Sequence, residues 1–281
     1  MNTLLNTRAA RRGPGQNSPW AYRHLILNFA RRDLKARFKG TVLGWLWALA
    51  VPITTVIIYT VVFGLVFRAT PPPMGNGDTG HYAVWLLVAI VPWAFFLNSV
   101  NTGPVALLGN GPLLQKVYIP AFVPPFASTV AVMVQSAIEL GVVIVVLMMF
   151  ANVSWTYLLL PFLIVLFVVF TGCVATALAI LNVYARDLSQ LVAVVLQLLF
   201  FVTPILYPED LIPQEWNGIP VAAIFDANPL AAYIGAFRDL VYGLTVPSPA
   251  VWLYMLAWAA AAVGALFVVY RRWGLDVSES I

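Results

Sequence analysis

Charged side chains and cysteine are both scarce in this sequence. Aspartate, glutamate, lysine and arginine make up 9% of the 281 residues, whereas 62% are hydrophobic. A soluble globular domain carries roughly a quarter charged residues, so this composition excludes that class and predicts a polytopic membrane protein. The single cysteine, Cys173, excludes an internal disulfide and a metal cluster built on cysteines.

Two kinds of motif are also missing. The N-terminal region contains cations but no short apolar core followed by a cleavage site, so we expect no signal peptide. Residues 1–19 are predicted to form a mobile basic tail. No stretch matches the glycine-rich, lysine-containing loop that cradles phosphate. We therefore expect that the chain does not hydrolyse nucleotide by itself, and that a partner supplies the energy for any uphill transport.

Six apolar runs predict six transmembrane helices. The first, residues 42–67, would be roughly 39 Å long as a helix, more than the ~30 Å of bilayer hydrocarbon. A lone span must satisfy its own backbone hydrogen bonds, which favours helix. The predicted fold class is an all-α polytopic membrane protein, with approximate spans at residues 42–67, 83–100, 126–150, 156–181, 190–207 and 250–270.

Two further helical segments are predicted outside these spans. Residues 20–39 place Tyr22, Leu25 and Phe29 on one face among many cations, which is typical of an amphipathic helix in the membrane interface. The alternative is a solvated basic linker. Residues 219–242, between spans five and six, contain apolar pieces too short and too interrupted to cross separately, which predicts a re-entrant helix pair.

The distribution of cations predicts the topology. Thirteen of the fifteen lysines and arginines fall on the side of the N-terminus, and only Arg68 and Arg238 fall on the other. With six spans within residues 40–275, both termini lie on one side, which the positive-inside rule makes the cytoplasm. Residues 276–281 are then a cytoplasmic tail.

Ionisable groups are nearly absent from the spans. Only Glu139 lies deep inside one, and Gln135, one turn earlier, shares its face. An acidic group there needs a partner or water, so Glu139 is either a gate or substrate contact, or part of an interhelical hydrogen bond. A single such group does not fit a proton- or sodium-coupled transporter. The scattered loop carboxylates do not fit the metal site of a transferase, so neither catalytic residues nor a metal site is predicted.

Two other features are candidates for binding. Aromatic residues at Trp45, Tyr59 and Phe63 follow one stripe of the first span, and aromatic faces can stack on the C–H faces of sugars; ordinary packing is the alternative. Residues 101–125 are polar and interrupted by glycine and proline. A short helix is predicted there, either as a docking element for a partner or as a plain connector.

Three motifs, taken together, resemble one family. They are RDLKARFKGTVLGWLW from Arg32 to Trp47 with Pro52 beyond it, LLFFVTPILYP from Leu198 to Pro208 followed by Asn228-Pro229 and Arg238, and Asn110 to Lys116 leading into Ile119-Pro120. Over residues 20–275 the chain resembles the membrane subunit of the ABC transporters that export O-antigen, capsule and teichoic acid. Phe38 stands where that family often has tyrosine. The richness in alanine and valine also looks like an actinobacterial member, in which lipid-linked galactan is a candidate cargo.

The resemblance implies a homodimer of six-span subunits, each bound to a cytoplasmic ATPase subunit that holds ATP and magnesium. This chain itself is then expected to need no cofactor, and we expect no nucleic-acid partner. Residues 20–39 would be the interface helix, and spans one and five would line a central channel. Two sites are implied on the cytoplasmic side: a lipid-headgroup site at Arg31, Arg32, Lys35 and Arg37, and a coupling helix with Asn101, Leu107, Asn110, Leu114 and Lys116. The implied channel-lining residues are Trp45, Tyr59, Phe63, Phe200 and Phe201. The implied outer gate contains Asn228, Pro229 and Arg238.

The predicted function is therefore the permease subunit of an ATP-driven exporter of lipid-linked polysaccharide. The resemblance implies that it works in contact with lipid in a bacterial cytoplasmic (inner) membrane. The four cations of the interface helix suit an anionic headgroup, although attraction to anionic lipid accounts for the same residues. A permease for a drug or a simple lipid is one alternative. A membrane-embedded glycosyl- or phosphotransferase is the alternative from another class.

Overall fold

The computed structural model describes residues 22–38, 44, 46–117 and 119–280. Helices account for most of them, and the described residues form no β-strand, so the predicted all-α class is confirmed. In chain order the helices are α1 (Arg23–Phe38), α2 (Leu46–Tyr59, continued by the π-helical Thr60–Val66), α3 (Tyr82–Gly109), α4 (Gly111–Lys116), α5 (Val123–Met149), α6 (Leu160–Tyr184, preceded by the 3₁₀ turn Trp155–Leu159), α7 (Leu188–Val202), α8 (Val221–Asp226), α9 (Pro229–Val241), α10 (Pro249–Val269, continued by the π-helical Tyr270–Gly274) and α11 (Val277–Ser280).

Five of the described helices are long and apolar enough to cross a membrane. They are Leu49–Val66, Tyr82–Gly109, Val123–Met149, Trp155–Tyr184 and Pro249–Gly274. The fifth predicted span forms the apolar α7, which has 15 residues and would be only ~22 Å long at 1.5 Å per residue. The second span differs most from its predicted bounds, because α3 continues beyond residue 100 to Gly109 with Pro92 and Pro104 inside it.

The central helix of the bundle is α3. It packs against α2, α5, α6 and α9, and buries rings such as Trp85, Phe95 and Phe96 among them. By contrast α2 leaves most of its apolar side chains exposed, for example Leu65 at 75%. A helix that is apolar all round is expected in lipid or in contact with a further chain.

One end of the bundle, which we call the α1 end, contains α1, α4 and α11. Helix α1 packs on the start of α5, where Phe29 and Ala30 are buried against Val123 and Ala127. The predicted interface helix is thus present as a helix, and its residues 20, 21 and 39 lie outside the described residues, as do residues 1–19 and 281. The predicted tail packs here too, since Val277 of α11 is 1% exposed.

The opposite end, which we call the α9 end, is built from the loop 67–81, the turn after α5 and residues 203–248. The two predicted pieces of the re-entrant pair are present as the short helices α8 and α9. Helix α9 begins where the Asn228 side chain accepts a hydrogen bond from the Leu230 N–H at 3.0 Å, with Pro229 in the first helical position. The backbone of the loop 67–81 lies close to the residues that follow α9. A Cβ added to Gly75 would lie 2.4 Å from the carbonyl oxygen of Gly243, which is too close for any side chain.

Candidate functional site

Arg32 joins α1 to the break between α3 and α4. Its Nη2 donates a hydrogen bond to Asn110 Oδ1 at 2.8 Å and lies 3.2 Å from Asp33 Oδ1. Asn110 is buried, and its Nδ2 donates to the Ala106 carbonyl at 2.6 Å. The guanidinium also lies 4.7 Å from the centroid of the Phe29 ring. The predicted interface helix and the predicted coupling segment are therefore in direct contact.

The four cations predicted to bind a headgroup fall into two pairs. Arg31 and Lys35 are exposed. Arg32 binds Asn110 and Asp33. Arg37 is half-buried, and its Nη1 donates to Gln135 Oε1 at 3.4 Å. Burial lowers the pKa of Arg37, whereas Asp33 acts in the opposite direction. The exposed pair is the more available to a ligand from outside the bundle.

A polar chain continues from Arg37 into the middle of α5. Gln135 Nε2 donates to Glu139 Oε1 at 3.0 Å, so the two residues meet as their spacing predicts. Glu139 is 3% exposed, and its Oε2 has no hydrogen-bond partner among the described residues. The hydrogen bond between Gln135 and Glu139 lies within α5. The bond between Arg37 and Gln135 is the one in this polar series that joins two helices, α1 and α5.

The residues predicted to form the coupling helix are divided between two helices that meet at Asn110. Leu107 and Leu114 are buried against Val183 and Val277 rather than offered to a partner. The polar Asn101 and Lys116 are exposed. The apolar side chains that this region does present at the surface, which sequence reasoning did not single out, are Val105, Leu108, Leu113 and Val117.

Aromatic rings connect α2 to α7. The rings of Phe67 and Phe63 have centroids 5.6 Å apart, Phe63 and Tyr59 6.2 Å, Tyr59 and Phe200 6.0 Å, and Phe200 and Phe201 5.4 Å. The structure thus brings together four of the five predicted channel residues and adds Phe67; the fifth, Trp45, lies outside the described residues. Phe67 and Phe201, at the two ends of this series, are 69% and 58% exposed.

At the α9 end, Arg238 holds the chain that follows α7. Its guanidinium donates hydrogen bonds to the carbonyls of Pro204 and Ile205 and lies 3.6 Å from the centroid of the Trp85 ring. Helix α7 ends before Pro204, since a residue preceding proline is disfavoured in the helical region. An arginine side chain keeps its positive charge in proteins, so these carbonyls accept from a cation.

Two more side chains hold the same segment. Asn228 Nδ2 donates to Thr203 Oγ1 at 2.8 Å, and the Tyr82 hydroxyl donates to the Leu206 carbonyl at 2.7 Å. Of the predicted gate residues, Asn228 and Arg238 therefore fix the end of α7 against α9, whereas Pro229 is the first residue of α9. Tyr82 was not predicted, because its partner lies far along the chain.

Asn152 is a second residue at this end that the sequence pattern did not predict. It is fully buried, and its Nδ2 donates to the carbonyls of Val241 and Tyr242 at 2.9 and 3.0 Å. Its Oδ1 accepts from the Asn76 N–H at 3.1 Å. One side chain thus ties the end of α9 to two loops. An asparagine in a turn is so common that no local signal distinguishes it.

Most of the chain matches a known protein family. The family model described as ABC-2 type transporter matches residues 24–242. The chain belongs to this ABC-2 transporter family. The match extends from α1 to the residue after α9, so it includes both the Arg32–Asn110 contact and the Arg238 site. The resemblance to ABC transporter membrane subunits predicted from the motifs is confirmed.

Two relatives carry the same name, "O-antigen export system permease protein RfbA". The protein from Klebsiella pneumoniae is 30% identical over 219 residues, which cover 77% of this chain and 79% of that protein. The protein from Myxococcus xanthus is 29% identical over 263 residues, or 93% of this chain and 97% of that protein. The ABC-2 chain is thus similar, over nearly its full length, to permeases named for O-antigen export.

Proposed function

We propose that this chain is the membrane subunit of an ATP-driven exporter that moves lipid-linked polysaccharide outward across the cytoplasmic membrane. The single observation that carries the proposal is the series of aromatic rings from Phe67 through Tyr59 to Phe201. Its neighbouring centroids lie 5.4 to 6.2 Å apart along the junction of α2 and α7. Ring faces offer a π-rich apolar surface to sugar C–H groups while making few bonds that would hold a moving polymer in place. The names of the relatives support the same cargo class.

The proposed assembly is two copies of this chain with two ATPase subunits. The largely exposed α2 supports an interface with a second copy, because most of its apolar side chains are exposed in one chain. At the α1 end, the exposed Val105, Leu108, Leu113 and Val117 form an apolar surface that suits the docking of an ATPase. In this arrangement ATP and magnesium bind to the partner, and Arg31 and Lys35 are the cations that receive the anionic headgroup.

The proposed topology has six spans with both termini in the cytoplasm. Helix α7 alone is too short for a bilayer, so the proposed fifth crossing combines α7 with the non-helical residues 203–207 held by Arg238. Non-helical backbone at membrane depth is tolerated where protein covers it, and here the carbonyls of Pro204, Ile205 and Leu206 all accept hydrogen bonds. Helices α8 and α9 are then the re-entrant pair at the outer side.

The proposal is tested by purifying the permease with its ATPase and reconstituting both into vesicles. ATP-dependent delivery of a lipid-linked polysaccharide to the opposite leaflet is measured for the wild type, for Tyr59→Ala and for Phe200→Ala. We expect both variants to assemble but to export about fivefold more slowly, since each removes a contact of about 1 kcal/mol at every sugar that passes.

The matched control is Phe162→Ala, which removes a ring on α6 that is 57% exposed but packs against Trp252 instead of α7. It should leave export unchanged. Equal export by Tyr59→Ala, Phe200→Ala and the wild type would remove the aromatic path from the proposal. Turnover of the lipid-linked sugar by the permease without any ATPase would replace the transporter with a transferase.

A further inference from the structure

A cavity of about 130 Å³ opens at the α9 end, between the segment that follows α7, the 3₁₀ turn Glu209–Leu211 and the helices α8 and α9. A single water needs only ~10–15 Å³ by the same measure, so the space accepts a larger group. Its lining combines two carboxylates, an amide, an aromatic ring and aliphatic groups, contributed in part by Glu209, Gln214, Phe225 and Asp226.

No lysine or arginine nitrogen lies within 4.0 Å of the Glu209 or Asp226 carboxylate in the part of the chain that the structure describes. Arg238 acts electrostatically on Glu209, but its guanidinium is already bound to two carbonyls and covered by the Trp85 ring. Burial raises the pKa of Glu209, Arg238 opposes this, and Asp226 adds to it, so the two cavity carboxylates act on each other.

This chemistry excludes several ligands. No group of three acidic, histidine or cysteine side chains able to hold a metal is present among the described residues. Phosphate and carboxylate groups would be repelled by Glu209 and Asp226. Carboxylates and an amide are good partners for hydroxyl groups, which donate to charged acceptors in short hydrogen bonds, and the Phe225 ring adds an apolar surface.

We propose that this cavity binds an uncharged, hydroxyl-rich sugar ring of the exported glycan as it leaves the membrane. This inference rests on the proposed function and specifies the class of glycan that is exported. The glycan that passes here is composed of neutral sugars rather than uronic acids or phosphorylated residues, because an anionic ring would have to bind beside two unpaired carboxylates.

The test is direct binding to the full-length permease, purified together with its ATPase. Two probes are titrated and followed by saturation-transfer NMR: a short neutral galactan and a galacturonan of the same length, whose rings differ by a carboxylate. We expect the neutral probe to bind at least about tenfold more tightly, because the loss of one hydrogen bond to a charged group weakens binding by about that factor.

The variants Glu209→Gln and Asp226→Asn keep the shape of the side chains and remove their charges. Each should weaken galactan binding about tenfold and reduce the preference over galacturonan, a change of selectivity that loss of structure alone does not cause. Ala222→Leu, which fills the cavity without altering charge, should abolish binding of both probes. Asp210→Asn is the matched control, because Asp210 is also exposed and next in sequence to Glu209 but does not line the cavity.

Galactan affinity that is the same in Glu209→Gln, Asp226→Asn and the wild type would overturn the inference, and so would equal binding of the two probes. Failure of the proposed function has a separate signature in the reconstituted vesicles. If the wild type exports glycan while these variants bind normally, only the cavity assignment is wrong. If the wild type exports no glycan, the proposed function is wrong as well.

Discussion

The two ends of the bundle each depend on one arginine, and they use it differently. At the α1 end, the side chain of Arg32 is 52% exposed and its partners are the side chains of Asn110 and Asp33. At the α9 end, the guanidinium of Arg238 is bound to backbone carbonyls beneath the ring of Trp85. Water can replace the first set of partners at little cost, whereas the second set has no such substitute.

This difference suggests which end moves. A side-chain contact with one exposed partner, such as Arg32, breaks and re-forms more easily than a buried one, which suits the end where the motion of an ATPase would enter. The α9 end is fixed by several buried bonds to carbonyls, from Arg238, Tyr82 and Asn152. We therefore expect the α9 end to behave as a preformed exit, and the α1 end as a contact that is remade during each cycle.

The largest effect on stability is expected from Arg238→Ala. The change leaves the carbonyls of Pro204 and Ile205 without donors and removes the cation over Trp85. We expect the free energy of unfolding in detergent micelles to fall by about 3 kcal/mol or more, since each lost bond to a charged donor costs ~1.5–3 kcal/mol. Arg238→Lys should recover part of the loss, because an ammonium donates to carbonyls but lacks the planar fork.

Arg186→Ala provides the control, because Arg186 is exposed in the turn between α6 and α7. It should change the free energy of unfolding by no more than ~0.5 kcal/mol, as is usual for surface substitutions. If Arg238→Ala is no more destabilising than Arg186→Ala, the two ends of the bundle do not differ in the way described.

Asn152→Ala should be the next most destabilising change. It removes both donors to the carbonyls of Val241 and Tyr242 and the acceptor for the Asn76 N–H, which we expect to cost about 2–3 kcal/mol. Asn152→Asp keeps the acceptor but loses the donors and brings a charge beside two carbonyl oxygens. Thermal unfolding of the two variants should therefore rank Asp at least as low as Ala; tolerance of Asp would mean that the bonds to α9 contribute little.

The helices and the contacts within single helices are the parts of the structure that could be predicted from the sequence. Helices α2, α3, α5, α6 and α10 were predictable, because long apolar runs without charge favour a hydrogen-bonded helix in lipid. The short helices α8 and α9 were predictable from the interruption of their apolar runs. The Gln135–Glu139 contact was predictable from a spacing of four residues on one helix. All of these are local properties of the chain.

The contacts that define the two ends are not local. Arg32 and Asn110 lie 78 positions apart, and Asn152 is 89 positions from Val241. The acceptors of Arg238 are main-chain carbonyls, which every residue has, so no residue type marks them. In residues 101–116, apolar side chains occur on several sides of the helix, and the sequence could not tell the buried Leu107 and Leu114 from the exposed Val105 and Leu108.

The Arg32–Asn110 pair should contribute less to stability than the α9 end. In a double-mutant cycle with Arg32→Ala and Asn110→Ala, we expect a coupling of about 1 kcal/mol in the free energy of unfolding, the usual range for a partly exposed charged hydrogen bond. Arg31→Ala, which alters the exposed neighbour, should show no coupling with Asn110→Ala. A coupling as large as the effect of Arg238→Ala would indicate that the α1 end is held as firmly as the α9 end.

The smallest effect is expected from Glu139→Gln, in the span between the two ends. Glutamine keeps the oxygen that accepts from Gln135 Nε2, and the oxygen it replaces with an amide, Oε2, has no hydrogen-bond partner among the described residues. The free energy of unfolding should therefore change by less than about 1 kcal/mol, whereas Glu139→Ala should cost about 1–3 kcal/mol, because it removes the acceptor of Gln135 Nε2 and leaves a space. Unfolding midpoints of both variants at one pH provide the comparison. A loss in Glu139→Gln as large as in Glu139→Ala would mean that the ionised carboxylate is required, and that the polar chain starting at Arg37 is a firm ionic link from the α1 end into the core.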